Sequence, residues 1–459
     1  MNLVSNLEQE LGPDKVQISD TEWTDIGGDA IGVPLCTVTP ENAAEVVTII
    51  QLARETSTSV VPVGQRTAYW SPLRIEGAIA LDTSRIRGIE RTDDVVTVGC
   101  GEPVRPLDRW LRSQGLALPV HPDAFGETSV GSMVATGLTS GIGMARGGID
   151  RWITSLTIVT GTGEIIHTGT SAGFRGTEPY LRDGLPDPTG LFLGSEGTLG
   201  IIVGVSLRVV PTPWVVHVEG THPDPVALLR CGRSLCRDGL CDTFRAVREH
   251  EPRREGRVLD TPWTFWVSVD SPLDMDDAQS RAIRVQKHLE SEGISVTAST
   301  AESDSGRAGT DEEGRPRWQG PMGAHAVFQE REYLVGLDIN TSYANAEKLL
   351  SIADSQAEDA LRLSPSMVRT ALYLAPGFVN LGMHTSVPRT KPAQGVHEHR
   401  SHWLAELSQH PVVPYRLGHA WPSEMVAKIL PSRRILFRQF KDLLDPDGIL
   451  NPQHPLVSP

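Results

Sequence analysis

The sequence predicts a mixed α and β protein of two or more domains. Three observations carry that expectation. The chain has 459 residues, more than one compact core sustains. Amphipathic helical patterns alternate with β-branched runs along most of it. Its composition shifts at Pro211-Thr-Pro213, beyond which the glycine-bearing segments of the first half stop. Hydrophobic residues make up 39% and charged residues 22%, an ordinary globular balance.

The elements follow in order. Thr39 to Arg54 reads as a helix with Thr39 as N-cap and Pro40 in the first turn, burying Val46, Ile49, Ile50 and Ala53. Ser59-Val-Val-Pro-Val63 is a strand whose pairing stops at Pro62. A Gly64-Gln-Arg-Thr67 loop and a strand over Ala78–Asp82 come next, then a strand at 94–99 and a helix at about 105–114. Arg151–Thr160 and Glu164–Thr168 bracket Gly-Thr-Gly as a hairpin, and 171–189 is a surface loop. Gly190-Leu-Phe-Leu-Gly-Ser-Glu-Gly-Thr-Leu-Gly-Ile-Ile-Val203 has four glycines in its first eleven residues. It reads as a tight turn opening into a buried strand. Such a turn can offer successive N–H groups to an anion, although most glycine-rich turns only punctuate a fold. From 214 to 410, strands alternate with helices such as Asp276–Glu290 and Tyr343–Leu361. Ser299–Pro321 reads as a long mobile loop. A last helix, Ser423–Leu444, is stopped by Asp-Pro-Asp-Gly.

Charge and cysteine usage narrow the class. A net charge of −15 without a compensating basic run argues against nucleic acid or an anionic membrane as partner. The acidic start Met1–Glu10 has no apolar core, so no signal peptide is expected, and no apolar run reaches membrane-span length. Cys36, Cys100, Cys231, Cys236 and Cys241 contain no Cys-x-x-Cys pair, so unlinked, partly buried thiols in a reducing, cytoplasmic compartment are expected. No metal site is expected. The uniform spacing of the last three cysteines matches no common zinc pattern. His397-Glu-His-Arg-Ser-His402 is not His-Glu-x-x-His, because position 401 is Ser; it reads as a solvated helix face.

Three glycine segments stand in order: Pro62-Val-Gly-Gln-Arg-Thr67, Val130-Gly-Ser-Met-Val-Ala-Thr-Gly137 and Gly194-Ser-Glu-Gly-Thr-Leu-Gly200. With Leu444-Asp-Pro-Asp-Gly-Ile-Leu-Asn-Pro452 at the far end, they resemble the vanillyl-alcohol oxidase / p-cresol methylhydroxylase superfamily. That superfamily includes the FAD-dependent D-lactate and glycolate dehydrogenases. The resemblance spans about 34–212 and 411–453. It implies an α+β fold in which a discontinuous, two-subdomain FAD-binding domain (1–212, completed by a returning segment at 411–459) carries a mixed α/β cap at 213–410. By the same resemblance the FAD contacts are Pro62, Val63, Gly64, Gln65, Arg66, Thr67, Pro122, Asp123, Val130, Gly131, Ser132, Ala135, Thr136, Glu196, Gly197, Gly200, Ile201, Ile202 and Asn451. The loop after Val63 departs from the family in keeping only Gly64, so Arg66 and Thr67 are read as compensating. The comparable cap strand, Leu374–Val387, offers only His384, offset from the position of a covalent tether, so FAD is expected to be dissociable.

The resemblance also implies a reaction. Phenol oxidases of the superfamily hold a phenolate with two tyrosines and an arginine, and this chain has Tyr69, Tyr415 and Arg416 at those places. A planar guanidinium beside two phenolic hydroxyls favours an oxyanion. Asp123 aligns with an acid near flavin N5. Taken singly, Tyr69 reads as a packed aromatic, Tyr415-Arg416 as a strand–surface pair, Asp123 as turn chemistry and His121 as structural. The expectation is an FAD-dependent oxidase or dehydrogenase acting on a small molecule, a para-substituted phenol, by hydride transfer to N5. The alternative is a 2-hydroxy acid or a polyol, supported by Gly194–Gly200. Against it, Gly377-Phe-Val-Asn-Leu-Gly-Met-His384 lacks the first His and the Asp of the metal-dependent hydroxy-acid enzymes' Gly-His-x-Gly-Asp-Gly-Asn-x-His. His419, three residues beyond Arg416, is the histidine that would serve such an enzyme as base. A flavin-free partner protein is the non-enzymatic reading, and a homodimer is left open.

Overall fold

Cys36–Val38, Ile79–Asp82 and Val60–Val63 pair in parallel, in that order across the sheet, and Val16–Gln17 adds antiparallel to the outer side of the first. The computed structural model describes residues 3–68, 70, 72–122, 128–139, 143–173, 176–182, 185–250, 261–301, 332–363, 367–390 and 394–457. Parallel strands need a crossover. The Ala43–Glu55 helix supplies it, burying Val46, Ile49, Ile50 and Ala53. Its cap is Asn42, whose side chain accepts the Glu45 N–H, rather than the expected Thr39. Pro62 does not end the Val60–Val63 pairing, which continues to Val63 opposite Asp82. The strand lies at the sheet edge, where proline's missing N–H is tolerated. The chain's far end returns here: Leu450 bridges Val60 in parallel, and Asn451 N donates to Val60 O.

A second, five-stranded antiparallel sheet runs Ile165–His167, Ile153–Val159, Ile201–Arg208, Val95–Gly99, Ile89–Thr92. One continuous core joins both sheets, from Leu3 to Val209, and takes in Ile449 and Leu450.

The second half builds one antiparallel sheet of eight strands, in the order Val296–Ala301, Trp214–His222, Trp263–Ser271, Thr243–His250, Met367–Ala375, Phe378–Pro388, Glu332–Thr341, Val413–Pro414. Helices Pro225–Arg237, Met275–Ser291 and Tyr343–Leu361 cover one face. Strand alternation then leaves the other face to the first half. The second core extends past the sequence-derived boundary at 410, because Val412, Trp421 and Met425 pack in it. The span expected as one last helix is two, Ser423–Ala427 and Pro431–Leu444: proline lacks the N–H that would continue the first, and it starts the second well. Leu374–Val387 is likewise the hairpin between Met367–Ala375 and Phe378–Pro388, turning at Gly377. Of Ser299–Pro321, Ser299–Ala301 belong to a strand and 302–321 lie outside the described residues. All five cysteines are free and buried, and no helix among the described residues is long and apolar enough to cross a membrane.

Candidate active site

The three glycine segments meet at one cavity of about 190 Å³, roofed by the bare face of the eight-stranded sheet. The loop after Val63 leaves the carboxyl ends of parallel strands, where open α/β sheets place their ligands. From the first half come Pro62, Val63, Gly64, Arg66, Thr67, Pro122, Gly131, Ser132, Ala135, Thr136, Glu196, Gly197, Gly200, Ile201 and Ile202. From the second come Leu334, Asp338, Met367, Arg369, Tyr373 and His384, with Tyr415 and Arg416 at one side.

Close backbone approach shapes the wall. Gly197 has φ +75, and a Cβ there would lie 2.2 Å from Cγ of Pro62. Only glycine lets the turn lie against the Val60–Val63 strand. Arg66 (φ 54) and Glu196 (φ 47) take the same left-handed region without being glycine, a conformation held by surroundings and common at ligand sites. Arg66 also stacks its guanidinium 4.3 Å from the Trp23 ring centroid.

Glu196 ties several elements together. Its carboxylate accepts from Trp70 Nε1 at 3.2 Å and from His454 Nε2 at 2.9 Å, and its carbonyl accepts from Asn451 Nδ2 at 2.9 Å. His454 Nδ1 accepts the Leu456 N–H at 3.3 Å, so its proton resides on Nε2. The Trp70 ring then carries the Arg416 guanidinium, 4.6 Å from its centroid. Arg416 Nη2 donates to Tyr415 Oη at 2.9 Å, and Trp421 Nε1 fixes the Arg416 carbonyl at 2.9 Å. Arg416 Nε is buried with no acceptor, and no carboxylate pairs with this guanidinium among the described residues.

Opposite lies a histidine–carboxylate pair: His384 Nε2 is 3.4 Å from Asp338 Oδ2, and both side chains are buried. A Cβ on Gly382 would meet Asp338 Oδ1 at 2.2 Å and His384 Cε1 at 2.8 Å, so this glycine makes the room the pair occupies. In register, Arg369 stands directly across from His384, and its Nη2 donates to Glu249 Oε1 at 2.6 Å.

Several sequence-derived residues stand elsewhere. Gln65 is exposed, Val130 is wholly buried in the core, and Asn451 acts through Glu196, none of them lining the cavity. Tyr69 and Asp123 lie outside the described residues. His121 faces Asp108 at 3.2 Å. His419 does not line the cavity, and burial, reinforced by Arg74 and His454, holds it near 4. The proposed solvated face at His397–His402 is partly a contact: His397 donates to Gly27 O at 2.7 Å and Arg400 forks onto Asp29. Trp70, Asp338, Arg369 and Tyr373 had no sequence motif. Their one signal is a polar or aromatic residue at alternate positions of buried strands, as in Arg369 and Tyr373.

A glycine-lined cradle at the carboxyl ends of parallel strands, roofed by a second domain, is that of a dinucleotide-binding flavoprotein. Residues 34–169 match the FAD binding domain family. D-2-hydroxyglutarate dehydrogenase of Xanthomonas citri pv. viticola is 33% identical over 190 residues, 39% of this chain and 38% of the relative. D-lactate dehydrogenase of Anaerostipes hadrus is 29% identical over 215 residues, 45% of this chain and 43% of the relative. The matched stretch is thus about two fifths of each relative's length. The solved p-cresol methylhydroxylase with bound substrate superposes with a TM-score of 0.80 at 14% identity, covering 99% of this chain and 96% of that one. Residues 34–169 thus match an FAD binding domain, and the whole chain shares the fold of p-cresol methylhydroxylase.

Proposed function

We propose that the chain is an FAD-dependent oxidoreductase that oxidises a 2-hydroxy acid to the 2-oxo acid. This reverses the order of the two readings taken from sequence. One observation carries it: Arg416 has no carboxylate partner among the described residues and lines the same cavity as the His384–Asp338 pair. The chemistry needs these two groups, a grip for a carboxylate and a base for the adjacent hydroxyl. The hydroxy-acid relatives support the same choice.

The residues fit the cofactor, since Gly64 and Gly197 leave a cradle that any Cβ would fill, meeting Ser132 Oγ or Pro62 Cγ. Bound FAD supplies the two-electron acceptor for a hydride. Arg416, braced by Trp70 and Tyr415, holds the substrate carboxylate. Asp338 fixes the proton on Nε2 of His384, which leaves the basic lone pair on Nδ1 to take the hydroxyl proton. His384 is therefore engaged as a base and not as a tether, so FAD is dissociable. The covered sheet face excludes bulk water, which strengthens both interactions.

The test is anaerobic mixing of FAD-reconstituted protein with D-lactate, D-2-hydroxyglutarate, glycolate and a set of 4-alkylphenols. Bleaching by an acid and not by the phenols is expected. Bleaching by phenols alone would establish the second reading, a para-substituted phenol, which the 2.9 Å contact between Arg416 and the Tyr415 hydroxyl favours.

A further inference from the structure

Trp23–Thr24 and Ala30–Gly32 form a two-stranded sheet of their own, apart from the larger sheets. Two short strands are marginally stable by themselves, so what holds this hairpin lies outside it. Its foot stands on the first half, where Ile31 packs with Val61, Ile75 and Ala78. Its tip, Asp25 to Asp29, holds the second half. Ile26 O accepts the Leu334 N–H at 2.9 Å, and Gly27 O accepts from His397 Nε2 at 2.7 Å. Gly28 lies so close to Tyr333 that a Cβ there would meet the ring at 2.8 Å. Asp29 accepts the fork of the buried Arg400 at 2.8 and 3.1 Å. The same hairpin borders the cavity. Trp23 carries the Arg66 guanidinium on its ring, and both Arg66 and Leu334 line the cavity wall.

We propose that this hairpin is a clasp: it closes the second half over the cavity, and FAD passes in and out when the Asp25–Asp29 tip lets go of Tyr333, Leu334, His397 and Arg400. The inference rests on the reading that FAD lies untethered between the two halves, since a cofactor enclosed in that way moves only when they part. A second seam shows which contact opens and which turns as the hinge. At the centre of the eight-stranded sheet, Met144 is buried among Val247, Ala371, Tyr373 and Ala375, and Arg146 pairs with both Asp242 and Asp270. Parting there would bring apolar surface into water. The tip instead holds by hydrogen bonds and an ion pair, apart from Gly28 on Tyr333, and water replaces such bonds at small net cost. The halves therefore open at the tip and turn about Met144.

Mixing the full apoprotein with FAD, and diluting the holoprotein, give association and release separately by flavin fluorescence. Asp29→Asn removes the charge under the Arg400 fork and leaves the bond from Asp29 N–H to Asp25 in place. Both rates should rise about 10- to 100-fold, the scale of a lost charge-assisted bond, with Kd within about threefold of the parent, because a gate speeds passage in both directions. Faster release with unchanged association would mean that these residues only brace the cofactor site, and overturns the proposal. So do two rates equal to the parent's. A parent protein that binds no FAD, or never releases it, fails the cofactor reading before any variant is made, and the clasp with it. Hydrogen exchange in the parent holoprotein decides independently of how the variant folds. The Leu334 amide, bonded to Ile26 O, should exchange before the amides that its strand shares with Phe378–Pro388. Equal protection overturns the clasp.

Discussion

The guanidinium of Arg416 lies 4.6 Å from the centroid of the Trp70 ring, and the indole N–H on that ring is held by Glu196 at 3.2 Å. A carboxylate behind the indole makes its face a better bed for a cation. The glycine turn that carries Glu196 thus reaches Arg416, the proposed substrate grip, through one aromatic ring.

Trp70→Leu removes the bed and leaves the cation. Stacking of this kind is worth about 0.5–2 kcal/mol, so KM for a 2-hydroxy acid should rise roughly 2- to 30-fold with kcat nearly unchanged. Arg416→Lys should raise KM further, about 10- to 100-fold, since an ammonium cannot fork onto a carboxylate. Steady-state kinetics under saturating acceptor separate the two constants. A fall in kcat at constant KM would mean that Arg416 meets charge developing in the transition state, as a phenolate would present.

The His384–Asp338 pair is tested by its pH profile. His384→Gln should lower the rate of flavin reduction about 10²- to 10⁴-fold, the range for a lost general base. Asp338→Asn keeps the shape and loses the charge, so it should lower the rate less and move the acidic limb of the profile to lower pH, because the imidazolium loses its counter-charge. A parental profile in Asp338→Asn would separate the aspartate from the base.

What the sequence disclosed, and what it hid, follows from where each constraint lies along the chain. Gly197 and Gly64 announce themselves because a tight turn against Pro62 demands glycine within a few residues, and Asp445 because it stops a helix. Asp338, Arg369 and His384 sit in strands whose residues are almost all buried. Nothing local says that one buried face meets helices and the other meets a cofactor domain. That asymmetry arises only when the two halves dock, across separations exceeding 100 residues. The cap at Asn42 and the break at Pro431 were visible residues assigned to the wrong role, since Thr39 and an unbroken amphipathic run competed for them.

Stability should fall in mild acid. Burial, aided by Arg248, holds His250 near 4, and burial with Arg74 and His454 does the same for His419, against an ordinary value of 6.5. A histidine whose folded value is lowered takes up its proton in the unfolded chain first, so the unfolded state binds more protons between pH 6.5 and 4. Stability contributed by the neutral form is full above 6.5 and is lost as pH falls through that window. Tm should therefore drop from pH 7 to pH 5, and His419→Gln should flatten the drop. A Tm independent of pH over this range would contradict both burials.

Lys441 is the last and most consequential test. Its ammonium is buried, bonds the carbonyls of Thr198 and Leu450 at 2.8 and 2.6 Å, and pairs with Asp445. Burial lowers its proton affinity, while Asp445 opposes the shift. Asp445 in turn accepts the N–H groups of Ile449 and Leu450 at 3.1 and 2.8 Å, which lays Leu450 beside Val60. One lysine thus fastens the returning C-terminal segment to the Gly194–Gly200 turn. Lys441→Met keeps the length of the side chain but strands a buried carboxylate, and breaking such a pair from one side costs about 3–5 kcal/mol. Asp445→Asn breaks the pair from the other side: it keeps one acceptor oxygen where Ile449 N–H and Leu450 N–H now use one each, and leaves the Lys441 ammonium on the Thr198 and Leu450 carbonyls, so it should destabilise as well. Because Thr198 lies in the Gly194–Gly200 turn, proposed to hold the cofactor, Lys441→Met should also weaken FAD binding, seen as a smaller rise in Tm on adding FAD. A denaturation midpoint within error of the parent would show that the segment is held by its apolar contacts, Ile449 and Leu450, and not by this ion pair.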